Sequence, residues 1–64
     1  MDKTLPELVK PVRAFAALDI SRSRGYEGLQ RGEIPHVIIA GQIRIPRKWI
    51  EQKISEALDR AEEV

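Results

Sequence analysis

Apolar positions along the chain change period from one stretch to the next, and each change marks an element. Val12, Phe15 and Leu18 recur at every third residue, with alanines at 14, 16 and 17. That is the spacing of a short amphipathic helix with one buried stripe. Pro11 suits its first turn, where a missing N–H costs nothing, so a helix is expected over 11–19, preceded by a leader over 1–10. Asp19 and Ile20 form the turn, with Ile20 plugging the core. Ser21 reads as an N-cap and Gly32 as the residue just past a helix end, which bounds a second helix at 21–31. Its interior holds Gly25 and Gly28, each about 1 kcal/mol worse than alanine in helix propensity. Such a helix depends on packing through Tyr26 and Leu29, or on docking.

After Glu33-Ile34-Pro35 the period falls to two. Val37-Ile38-Ile39, Ala40-Gly41 and Gln42-Ile43-Arg44-Ile45 predict a β-hairpin over 36–45 around a glycine turn. Alternation places Val37, Ile39, Ile43 and Ile45 on an inner face, with Ile38, Gln42 and Arg44 facing out. Pro46 opens a last helix over 46–62, whose apolar stripe is Trp49, Ile50, Ile54, Ala57, Leu58 and Ala61.

Composition narrows the functional classes. A chain of 64 residues without cysteine and with a single histidine, His36, has no disulfides, no thiolate zinc site and no histidine-rich metal cluster. Nothing places that histidine between a serine and a carboxylate as a nucleophilic triad requires, and a buried pocket is hard to fit in so short a chain. The expectation is a single non-enzymatic domain over 1–64, with no cofactor and no small-molecule ligand. With no membrane-length apolar run and no signal-peptide pattern at its start, the expected place is the cytoplasm.

The formal charge of +1 hides an asymmetry. Residues 1–50 carry nine Lys/Arg against five Asp/Glu, and residues 51–64 carry two against five. A basic front and an acidic tail suggest two surfaces with different partners, or an ordinary solvated last helix. Arg47 and Lys48 at the start of that helix, and Glu62 and Glu63 near its end, run against the helix dipole. They answer either to a partner or to mere tolerance at exposed positions.

The element order is therefore helix, turn, helix, hairpin, helix: mainly α with a small β-hairpin, the order of a winged helix-turn-helix. Ser21-Arg22-Ser23-Arg24-Gly25-Tyr26, Arg31-Gly32-Glu33-Ile34-Pro35, Gly41 and Arg44-Ile45-Pro46-Arg47 occur in order across roughly Val12 to Ile54. This run resembles the excisionase and MerR-like DNA-binding domains. The resemblance implies a recognition helix in the major groove, a wing beside it and no chemistry. It departs from the family's wording at Asp19, where glycine is common, at Gly25 and Gly28, which replace apolar positions, and at Ile38 and Ile43, in a wing that is usually more basic.

The expected DNA contacts follow from residue type. Arg22 and Arg24, with Ser21 and Ser23, stand at the start of the recognition helix, where arginine reads guanine or clamps phosphate. Glu27 and Gln30 face outward, Glu27 either accepting from cytosine or pairing with an arginine. Tyr26 packs on the core with its hydroxyl free for a phosphate, or is purely structural. Gln42 and Arg44 are the wing contacts or a charged guard on a strand edge, Arg47 and Lys48 the phosphate clamps. Ile38, Glu62 and Glu63 are candidate protein–protein contacts. The resemblance implies an excisionase, or recombination directionality factor: a protein that binds and bends attachment-site DNA, assembles head-to-tail and cooperatively, and works with an integrase in a bacterial host. A MerR-like transcriptional regulator and a small protein adaptor are the alternatives.

Overall fold

The computed structural model describes residues 5–62. It contains three helices and a three-stranded antiparallel sheet, in the order β1 (Leu8–Val9), α1 (Pro11–Ala17), α2 (Arg22–Gln30), β2 (Val37–Ile39), β3 (Gln42–Pro46) and α3 (Arg47–Glu62). No helix among these residues is long and apolar enough to cross a membrane.

Local chemistry sets the helix ends. Lys10 and Pro11 open α1, and α2 begins where the Ser21 hydroxyl accepts from the Arg24 N–H at 3.2 Å, the expected cap. Gly32, at φ 76°, turns the chain out of α2, a conformation that glycine adopts without penalty. Between α1 and α2 the left-handed residue is Asp19, at φ 54°. The turn thus tolerates the conformation that a glycine would adopt freely.

The leader contains a strand. Val9 pairs with Ile45 and Leu8 with Pro46, so β3 lies between β1 and β2. Val9 is fully buried and joins Ala14, Phe15, Leu29, Ile34, Ile45 and Ile50 in the core. Pro46 accordingly ends β3 rather than starting α3.

The hairpin register corrects the expected faces. Ala40 and Gly41 both have positive φ, 52° and 77°, the signature of a two-residue type I′ turn. A two-residue loop pairs residues of opposite parity: Ile39 with Gln42, Ile38 with Ile43, Val37 with Arg44. Directly paired residues share a face, so Ile38 lies on the side of Ile43, Ile45 and Val9. Val37 and Ile39 share the outer side with Gln42, Arg44, Pro46 and Leu8. All three residues of β2 are exposed, Ile38 most of all at 66 %.

Alanine at a left-handed position carries a Cβ penalty of about 1–2 kcal/mol. Replacing Ala40 by asparagine or glycine is expected to raise the unfolding free energy by about 0.5–1 kcal/mol, read from thermal or urea melts. A fall in stability would show that the turn is not of this type.

Four expected core positions, Val12, Ile20, Ile54 and Leu58, lie at the surface. Val12 and Ile20 are exposed, and of the α3 stripe only Ile50 is fully buried. Trp49 is half-buried against the core, with Lys53 Nζ 6.0 Å from its ring centroid. Ile54 and Leu58 are exposed, Leu58 at 61 %, because α3 runs on past the elements it packs against.

Candidate nucleic-acid interface

The face that α2 presents outward follows from what its inner face must do. Gly25, Gly28 and Leu29 are buried, and the two glycines let neighbouring side chains approach the helix backbone. A Cβ on Gly25 would stand 2.5 Å from Phe15 ring carbons, and one on Gly28 would stand 2.9 Å from Ile34 Cδ1. Phe15 and Ile34 therefore fill the volume that larger residues would occupy at these positions. Tyr26 meets the Phe15 ring edge-on, at 5.2 Å and 83°, an arrangement favoured by ring quadrupoles. It remains 43 % exposed.

Arg22, Ser23, Arg24 and Gln30 are exposed. Arg22 to Arg24 form the first turn of α2, which contains no acidic residue. Cations at this end run against the helix dipole and sit beside its unpaired N–H groups. Glu27 forms an ion pair with Arg31 at 2.9 Å, the arginine pairing anticipated for it. Arg31 enters the sequence reading as the end of the helix and the start of the Arg31-Gly32-Glu33-Ile34-Pro35 run, not as a contact residue. The i,i+4 spacing to Glu27 was the available signal. Three arginines against one glutamate leave this surface positive.

On the wing, Arg44 is held along its own strand. Nη2 donates to Gln42 Oε1 at 2.6 Å and Nη1 to the Ile43 carbonyl at 2.8 Å. The two expected wing residues are thus brought together on the outer face. His36 precedes the wing, its Nδ1 3.1 Å from the Ile34 carbonyl; a carbonyl can only accept, so Nδ1 is the donor.

Arg47 and Lys48 diverge. Lys48 is exposed. Arg47 is half-buried and ties down the leader, Nη1 donating to the Leu5 carbonyl at 3.0 Å and its backbone N–H to the Glu7 carbonyl at 2.8 Å. Glu51 Oε1 lies 3.4 Å from Nε, an ion-pair contact that leaves this buried nitrogen without a hydrogen bond. The backbone bond survives in alanine, but the Nη1 bond has a charged donor, so Arg47→Ala is expected to cost about 1–2 kcal/mol. Amide exchange at Val9 should accelerate with the loss. Unchanged melting and exchange would remove Arg47 from this stapling role.

Among the candidate protein contacts, Ile38 is the most exposed large apolar residue described. Glu62 closes α3, while its side chain and all of Glu63 lie outside the described residues. Within those residues no group of three His, Cys, Asp or Glu is placed to hold a metal. A shallow cleft of about 360 Å³ lies beside α2, lined by charges of both signs, Arg24, Glu27, Arg31 and Glu33, and by Ile20 and Trp49.

No family model, curated protein or solved structure matches the chain.

Proposed function

We propose that this chain is a winged helix-turn-helix protein that binds duplex DNA, with α2 as the recognition helix and the β2–β3 hairpin as the wing. The observation that carries the reading is the two-sidedness of α2. One side is pressed so closely on the core that glycine is needed, and the other presents Arg22, Ser23 and Arg24 to solvent at the end nearest the turn. A helix of this width fits the major groove, and a thin hairpin beside it can reach the minor groove or backbone. Arg24 and Arg22 supply phosphate or guanine contacts, Arg44 and Lys48 backbone contacts.

The sequence pattern from Ser21 to Arg47 resembles excisionases, and supports a role as a recombination directionality factor that bends attachment-site DNA for an integrase. One such domain touches few phosphates and binds weakly alone, so head-to-tail cooperation along DNA belongs to the same proposal. Footprinting on DNA from the protein's own genomic neighbourhood, paired with an excision assay, tests it. Protection of several adjacent sites and excision that requires the protein support the reading. Protection confined to a promoter, with excision unaffected, would instead make the chain a transcriptional regulator.

A further inference from the structure

The fold leaves two apolar surfaces uncovered, and their charges differ. One is the α3 stripe of Ile54 and Leu58, on a helix segment where Glu56 and Asp59 are balanced by Lys53 and Arg60. The other is the wing tip, where Ile38 and Ile39 are exposed. It lies within a run from Ile34 to Ile50 that contains no Asp or Glu and carries Arg44, Arg47 and Lys48. An edge strand of three uncharged β-branched residues invites pairing with other chains unless something covers it. Cations stand without acids in the run that holds the wing, whereas the two signs balance beside the α3 stripe, so the wing's apolar surface is the better suited to a polyanion.

The shape of the tip points the same way. Ile39 opposes Gln42 on the last rung, and Ile38 opposes Ile43 on the next. The two isoleucines therefore lie on opposite faces and straddle a slim Ala40-Gly41 turn. Arg44 is already fixed by the Gln42 and Ile43 oxygens on the strand beside them. Apolar wedges that part base steps, accompanied by arginine in a narrowed groove, are a general means of kinking DNA.

Resting on the DNA-binding reading above, we infer that the wing enters the minor groove and inserts Ile38 and Ile39 as an apolar wedge that unstacks a base step and kinks the duplex. Both side chains are mostly solvent-exposed in the free protein, so the fold does not depend on them. Pyrimidine–purine steps, which part most easily, are the preferred target.

The test uses the full chain and an Ile38→Ser/Ile39→Ser variant on a duplex of about 30 base pairs, a span that reports a single bend. The duplex carries 2-aminopurine at a central TA step and a donor–acceptor pair at its ends, in low salt and with DNA in excess. The wild-type protein is expected to raise 2-aminopurine fluorescence and shorten the end-to-end distance. The variant should melt as the wild type does and bind with the same salt dependence, but lose both signals. A variant that unstacks and bends the duplex like the wild type overturns the wedge and leaves DNA binding standing. So does one that bends a single-site duplex normally but loses cooperativity on a two-site duplex, since the patch would then belong to a second copy of the chain. Absence of any wild-type binding overturns the DNA-binding reading and the wedge together.

Discussion

Gly25→Ala is expected to destabilise this domain severely, although alanine is the better helix former. Alanine would gain about 1 kcal/mol of helix propensity. Its Cβ, however, would stand 2.5–2.6 Å from three carbons of the Phe15 ring, and Phe15 is among the largest fully buried side chains. It cannot swing aside into solvent, and α1 and α2 must separate or the ring must leave its rotamer. Overpacking of this kind costs about 1–3 kcal/mol, occasionally more. A core this small rarely supplies more than about 3–5 kcal/mol in total, so even the middle of that range leaves a large unfolded population. Phe15→Leu removes the offending ring atoms, and the Phe15→Leu/Gly25→Ala pair should recover part of the loss. Denaturant melts of the two single variants and the double variant measure the coupling directly. A Gly25→Ala protein that melts higher than the wild type would mean that α1 does not press on α2 here.

The second large effect concerns binding. Arg22→Ala and Arg24→Ala should each weaken duplex binding by about tenfold or more and lower the salt dependence by about one phosphate. Both side chains are exposed at the start of α2, and the cap they follow is made by Ser21 to the Arg24 backbone N–H, which alanine retains. Stability should therefore stay within about 0.5 kcal/mol of the wild type. Paired affinity and melting measurements separate loss of contact from loss of fold. If either substitution leaves affinity unaltered, that arginine is not part of the reading surface.

Features made by neighbouring residues were legible in the sequence. Ser21 and Gly32 bound α2 because a cap and a left-handed stop are chemistry of the residues themselves. The Ala40-Gly41 turn was equally local, but its consequence was misread. Period-two alternation fixes faces within one strand, and only the loop length relates the two strands. The leader strand was not legible. Two residues carry no period, and the partner of Val9 is Ile45, far along the chain. Arg47 is a similar case, a cation read as a phosphate clamp whose guanidinium also holds the Leu5 carbonyl. In α3 the stripe was read correctly as periodicity, but periodicity does not report where the packing partners end, so Ile54 and Leu58 were placed in a core that stops at Ile50. The glycines of α2 were visible as weak helix formers, and their purpose required Phe15 and Ile34 to be seen against them. Of the candidate interface, the α2 arginines followed from pattern alone, while the pairing of Glu27 with Arg31 and of Arg44 with Gln42 needed coordinates to settle.

The activity proposed for this domain is to hold duplex DNA through a cationic helix and wing. It is tested most directly by fluorescence anisotropy of a labelled duplex titrated with the wild-type protein across a series of salt concentrations. Binding is expected at low salt, with the logarithm of the association constant falling linearly against the logarithm of salt, at a slope set by a handful of phosphate contacts. No binding at low salt, or an affinity indifferent to salt, would contradict it.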